Sequence, residues 1–245
     1  MVNKEENLVE HYDVLGNLKD DFRNSNLFVL VASKVTGNYV VDIGCGGAFF
    51  GSVLLARGKH VVGLEPSEGM REMAKRFNPE VKVIAGDAEE VDVLVEEPVE
   101  TVVMLDVLEH IEKDAEQIEK IGSILKTGGE FIFVVPCHPF LYGERDKQVG
   151  HYRRYSSKML RKILENNGFR IEYLRHWNVL GFLPYLISEK ILRRPLESKL
   201  RRETKAGTFS VMVQKGLNFW FSQIENNFDF GFGLSIIGVA RKVQI

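Results

Sequence analysis

Val40-Val41-Asp42-Ile43-Gly44-Cys45-Gly46-Gly47-Ala48-Phe49-Phe50-Gly51, residues 40–51, is the stretch whose reading decides the fold. Val40, Val41 and Ile43 are β-branched and suit a buried strand. Gly44, Gly46 and Gly47 then allow backbone angles and a close ligand approach that a Cβ would obstruct. A strand running into a glycine-rich turn and then a helix suits a nucleotide-like ligand, because backbone N–H groups converge at the carboxyl end of such a strand.

Working outward, the chain alternates. Gly51 to Arg57 reads as a short helix ended by Gly58, and His60 to Leu64 as a second strand finishing in Glu65-Pro66-Ser67. Glu65, roughly 20 residues past the glycine turn, stands where a ribose would present its hydroxyl pair. Ser67 can cap the helix that carries Met70, Met73, Ala74 and Phe77, so a simple helix-end charge is the competing reading of Glu65. Val81 to Ala85 reads as a third strand followed by Gly86-Asp87-Ala88. Asp87 could accept from an exocyclic amine of a base or bond its own turn. Thr101 to Leu105 reads as a fourth strand leading into Asp106-Val107-Leu108-Glu109-His110, then a helix from about Ala115 to Leu125, a turn at Lys126 to Gly129, and a fifth strand from Glu130 to Val135.

Five strands alternating with helices imply an α/β, doubly wound, mostly parallel sheet. Met159 to Asn166 reads as a helix, Phe169 to Arg175 as a sixth strand and Leu234 to Val239 as an antiparallel seventh, giving a Rossmann-like sheet of seven strands. The segment 178–233 between the last two is too long for a loop and calls for helices of its own, around Pro184 to Leu192 and Ser210 to Ile224. Before the first strand, residues 1–37 read as a helical cover with Leu27, Leu30, Val31 and Val35 on one face. Residues 1–245 are thus expected to form one domain. Tyr12, beside His11 in the cover, is a candidate to overhang a ligand; a partly buried surface aromatic is the plainer reading.

The sequence resembles class I S-adenosylmethionine-dependent methyltransferases of the type 11 and 12 group. Five ordered blocks carry the resemblance: Val41-Asp42-Ile43-Gly44-Cys45-Gly46, Gly63-Leu64-Glu65-Pro66-Ser67, Gly86-Asp87-Ala88, Leu105-Asp106-Val107-Leu108-Glu109-His110 and Leu125-Lys126-Thr127-Gly128-Gly129-Glu130. The resemblance implies S-adenosylmethionine as cofactor and S-adenosylhomocysteine as product. It implies that Asp42, Gly44, Cys45 and Gly46 face the methionine part, Glu65 and Pro66 the ribose, and Asp87 and Ala88 the adenine, with Leu105 and Asp106 bordering the methyl-donor pocket. Ala48 stands where the family's third glycine is usual. The block Asp146 to Tyr155 resembles a segment of methyltransferases associated with surface-glycan or lipid-linked saccharide pathways.

Read from its residues, that block follows the fifth strand, and so lies at the edge of the sheet where ligands bind. His151, Arg153, Arg154 and Tyr155 are candidates to hold an anionic acceptor group, the alternative being arginines paired with acidic neighbours and packed tyrosines. Methyl transfer from a sulfonium is an in-line displacement, in which a base is needed only if the acceptor carries a proton to lose. His151 is the first candidate base and His110 the second, with His138 on the acceptor side; each could instead be structural. No metal site is expected, since Cys45 and Cys137 lie far apart and in no ligand spacing.

The net charge of −2 gives no global reason to expect nucleic acid or a membrane. His151 to Lys205, however, holds 14 Lys and Arg against 5 Asp and Glu, a local +9. Residues 177–205 combine that charge with apolar residues and would suit a lid over a hydrophobic acceptor, a peripheral membrane contact, a dimer face or a plain buried cap. The polar, acidic start shows no secretory pattern, and two separated cysteines fit a reducing cytoplasm. The expected partner is therefore a small-molecule or lipid-linked acceptor and the expected location the cytoplasm, with or without a membrane surface. Two further readings stay open: a nicotinamide-dependent dehydrogenase, which leaves the Gly86 and Leu105 blocks unexplained, and a non-catalytic cofactor-binding scaffold.

Overall fold

The computed structural model describes residues 21–192 and 208–244, with side chains at 208–211 left aside. Seven strands form one sheet: β1 Tyr39–Ile43, β2 His60–Glu65, β3 Lys82–Ala85, β4 Val99–Leu105, β5 Leu125–Pro136, β6 Phe169–Trp177 and β7 Ser235–Lys242, in the order β3-β2-β1-β4-β5-β7-β6. β1 pairs in parallel with both β2 and β4, and β7 runs antiparallel between β5 and β6. The strand order reverses between β1 and β4, and in such sheets a ligand crevice opens there, outside the carboxyl ends of the strands.

The period-two alternation of side chains sends each central strand to two cores. Val41, Ile43, Val102, Met104, Phe131 and Phe133 pack on one face against Ile118, Ile121 and Ile124 of α5 (Asp114–Ile124) and Leu160 and Leu164 of α7 (Ser157–Asn166). Val40, Val103, Ile132 and Val134 pack on the other against α1 (Phe22–Ala32), α2 (Phe49–Leu55) and α3 (Glu68–Phe77), through Leu27, Val31, Phe50, Leu54 and Ala74. Burial on both faces explains why these strands read as nearly continuous apolar runs.

The expected elements are present with shifted ends. α1 packs on the sheet through Leu27, Leu30 and Val31, with Asp21 as its cap. Tyr12 and His11 lie outside the described residues. The turn expected at Lys126 to Gly129 is absorbed into β5 as an irregularity: Val99 pairs with Leu125 but Thr101 with Glu130, and Gly128 takes φ +77°. After a four-residue helix α4 (Val91–Leu94) and the short α6 (Glu144–Val149), the late insertion supplies α8 (Val179–Leu186), continued by a π-helical stretch Ile187–Leu192, and α9 (Thr208–Phe219), continued by another, Trp220–Glu225.

Candidate active site

Among the described residues, four other than glycine have positive φ, and all follow carboxyl ends of strands: Ala48 (φ 58°) after β1, Asp106 (φ 55°) after β4, His138 (φ 64°) after β5 and Asn178 (φ 68°) after β6. Left-handed backbone at residues with a Cβ is costly and clusters where function fixes the chain. Together they mark one edge of the sheet.

At the centre of that edge, Asp42 is 2% exposed and its Oδ2 has no hydrogen-bond partner. Burial, reinforced by the charge of Glu65, pushes its carboxyl up to about 7. Glu65 is also buried. Its Oε2 accepts from the Gly46 N–H at 2.8 Å and its Oε1 from the Ser67 N–H at 2.9 Å, so it ties the glycine turn to the end of β2 and keeps lone pairs for further donors. Ser67 itself caps α3. Gly44 (φ 68°) and Gly46 (φ 54°) turn the chain, and a Cβ on Gly44 would lie 2.6 Å from a Val107 methyl carbon. Cys45 is half-buried, and burial with the nearby charges of Asp42 and Glu65 raises its thiol, which disfavours the thiolate.

The remaining sites are more exposed. Pro66 is exposed, and its carbonyl accepts from Arg71. Asp87 is exposed and caps the short helical turn Ala88–Glu90 by accepting from the Glu89 N–H, while Ala88 is buried. Leu105 is half-buried beside Asp106, and Arg23 of α1 brings its Nη2 to 3.9 Å from Asp106 Oδ2 with its guanidinium over the Trp177 ring. No sequence signal pointed to Arg23, which reaches the site only because α1 packs across the sheet.

The loop block resolves differently from its expected ligand role. Arg154 is 5% exposed; its Nε donates to both oxygens of Asp146, and its Nη2 donates to the Tyr185 hydroxyl. Tyr155 is 1% exposed and donates to Asp114 Oδ2 at 2.9 Å. Arg153 pairs with Asp114 at 2.6 Å and donates to the Glu112 carbonyl. The expectation that Arg154 and Tyr155 reach out to an acceptor is thereby corrected: their polar ends are consumed inside the protein. Asp146, eight residues before Arg154, and Asp114, 41 residues before Tyr155, make the difference.

His151 shares the same carboxylate, its Nδ1 lying 2.8 Å from Asp146 Oδ1. Burial by itself would raise Asp146, but the hydrogen bonds from His151 and Arg154 outweigh it and hold the carboxyl down to about 2. The His110 ring meets His151 edge-on at 4.7 Å between centroids. His138 sits apart from this pair, against the rings of His176, Phe140 and Phe182 at 5.1–5.8 Å, with its Nε2 buried and lacking a partner. Burial, then the neighbouring His176, lowers its pKa.

A family profile described as a methyltransferase domain matches residues 19–174. The chain belongs to that methyltransferase domain family. It is 25% identical over 152 residues to a probable S-adenosylmethionine-dependent methyltransferase of Mycolicibacterium smegmatis, across 61% of this chain and 59% of that one. It is 32% identical over 127 residues to an uncharacterised methyltransferase of Geobacillus, across 51% and 56%. The chain thus spans less than two thirds of the length of these relatives. Among solved structures, it resembles a SAM-dependent methyltransferase of Archaeoglobus fulgidus (TM-score 0.55, 20% identity, 84% of this chain and 87% of that one). It also resembles phosphoethanolamine N-methyltransferase 2 of Haemonchus contortus in complex with S-adenosyl-L-methionine (TM-score 0.57, 21% identity, 90% and 53%). Both show the fold.

The cofactor of this methyltransferase family is S-adenosylmethionine, and the domain's residues fit it. Asp42 offers an orphaned buried carboxylate oxygen to a cationic group, and Gly44 and Gly46 present no Cβ in the turn beside it. Among the described residues no helix is long and apolar enough to cross a membrane.

Proposed function

We propose that the chain transfers a methyl group from S-adenosylmethionine, at O or N, to a small-molecule or lipid-linked saccharide acceptor by in-line displacement. The observation that carries the donor half is the conjunction of the orphaned Asp42 carboxylate with the Glu65-tethered glycine turn in a chain of the methyltransferase family. When bound, the cofactor supplies an electrophilic methyl on a sulfonium. The chain's own part is then to hold the donor at Asp42, the Gly44 to Gly46 backbone, Cys45, Glu65, Pro66, Asp87, Ala88, Leu105 and Asp106, to orient the acceptor and to exclude water.

The acceptor half rests on the surface beside this edge. Phe140 and Phe182 pack against His138, Phe232 packs against Phe182, and Leu180, Leu183, Ile187, Ile191 and Leu192 expose large apolar side chains along α8 and its continuation. That surface suits an acceptor with a lipid portion and a peripheral membrane contact through residues 177–205, of which 193–205 lie outside the described residues. Proton loss from the acceptor is assigned to the cluster around His151 and His110, where Asp146 fixes the His151 ring. Arg153 stays the block's candidate for an acceptor anion.

Incubation with methyl-labelled S-adenosylmethionine and fractionated cell material tests this. The label is expected in the organic-soluble or small-molecule fraction, and label confined to RNA or protein would overturn the acceptor class. Calorimetry is expected to show S-adenosylhomocysteine binding more tightly than NAD; the reverse order would sink the donor reading in favour of a dehydrogenase.

A further inference from the structure

Just past the end of β4, the fold brings His151 to the adjacent residues Glu109 and His110. One potential ligand atom each from Glu109, His110 and His151 lies within 4.8 Å of the other two. We propose that these three residues bind one divalent transition-metal cation, zinc being the first expectation.

The strongest reason is Glu109. It is 1% exposed, and neither carboxylate oxygen has a hydrogen-bond partner. Its neighbour His151 keeps Nε2 at 3.8 Å from Glu109 Oε1, beyond hydrogen-bonding range. A buried carboxylate with both oxygens unmatched is costly unless a cation or donor meets it, and among the described residues no donor lies within hydrogen-bonding distance.

His151 supplies the second, independent reason. Its Nδ1 is 2.8 Å from Asp146 Oδ1, so the proton is assigned to Nδ1 and the Nε2 lone pair is left on the side of Glu109. Asp146 is in turn locked by Arg154. Carboxylate, imidazole and open lone pair in series is the arrangement that orients metal-binding histidines. His110 completes the set from the exposed side, its ring meeting that of His151 edge-on at 4.7 Å between centroids.

Two imidazole nitrogens and one carboxylate suit zinc and its first-row neighbours; magnesium and calcium prefer oxygen donors throughout. Ligand atoms about 2.0–2.2 Å from zinc stand roughly 3.5 Å apart, so binding requires the three side chains to close by about an ångström. Cation binding stands without the methyl-transfer reading; only a role in holding or acidifying the acceptor rests on it.

The test uses the full-length, untagged chain, stripped with a chelator and titrated by calorimetry with zinc, manganese or magnesium ions. One zinc per chain is expected, with magnesium at least 100-fold weaker. Zinc affinity is expected to fall at least 10-fold in His110→Ala, an exposed position outside the core, and also in Glu109→Gln. Melting of each metal-free variant checks its fold, and His110→Ala decides the matter if Glu109→Gln fails to fold. No zinc binding, a magnesium preference, or equal zinc affinity in wild type and folded His110→Ala would overturn the site. S-adenosylhomocysteine is titrated into the same metal-free samples: binding there with no zinc site removes the metal proposal alone, whereas absent binding counts against the methyl-transfer reading.

Discussion

Asp146 grips Arg154 through a single nitrogen: Arg154 Nε lies 2.9 Å from Oδ1 and 2.8 Å from Oδ2, and both side chains are buried. The same carboxylate meets His151 and the Tyr185 hydroxyl, so one residue of α6 fastens the loop after β5 to the late insertion. Removing one partner of a buried pair leaves the other charge unmatched. Asp146→Ala is therefore expected to lower unfolding free energy by about 3–5 kcal/mol, measured by urea denaturation. A loss below about 1 kcal/mol would show that the pair is solvated in solution.

The pH dependence of the cofactor-free chain should carry the mark of Asp42. Its carboxyl titrates near 7 when folded against 3.8 ordinarily, chiefly because burial disfavours the charge. The folded state therefore binds a proton that the unfolded chain has released, and this group's contribution is full below pH 4 and lost as pH rises through 7. Integrated over that window the effect is on the order of 4 kcal/mol. Denaturation of wild type and Asp42→Asn across pH 5 to 8 measures it: the stability difference, wild type minus variant, should decline toward pH 7 and flatten above. A flat difference would mean that Asp42 is solvated.

Glu65 has two duties that one substitution separates poorly, so both need measuring. Glu65→Ala is expected to weaken S-adenosylhomocysteine binding by on the order of 1–3 kcal/mol, through unpaired ribose hydroxyls. It also frees the Gly46 and Ser67 N–H groups, so the melting temperature should fall as well. Unchanged affinity in calorimetry would assign Glu65 to the turn alone.

A paired alanine substitution distinguishes a strained glycine from a crowded one. Gly44 and Gly58 both have positive φ, but a Cβ on Gly44 would strike Val107 whereas one on Gly58 meets nothing within 4 Å. Gly58→Ala should cost only the left-handed backbone, about 1–2 kcal/mol, with cofactor affinity intact. Gly44→Ala should cost more and reduce S-adenosylhomocysteine affinity at least several-fold. Equal effects in the two variants would refute a special role for the Gly44 turn.

The residues proposed for the donor half are legible along the chain because they sit at strand ends, and strand ends announce themselves through local chemistry. Asp42, the Gly44 to Gly46 turn and Glu65 follow β-branched runs at fixed offsets, and Ser67 caps α3 as its residue type suggests. The acceptor half was misread at Arg154 and Tyr155, whose polar ends meet residues of other elements. Arg154 looks like an anion ligand in sequence, yet Asp146, eight residues before it, binds it because α6 folds back on the loop, and Tyr155 donates to Asp114, 41 residues before it.

The sequence by itself determined the alternation of strands and helices, the two-sided core and the glycine turn, because apolar periodicity and backbone freedom are properties of neighbouring residues. Only the tertiary structure decided which charges are spent inside the protein and which remain open. Burying Glu109 beside His151, and seating Arg23 3.9 Å from Asp106, depend on how distant segments pack. Whether a carboxylate is matched or orphaned is a fact about its three-dimensional surroundings, which no local pattern encodes.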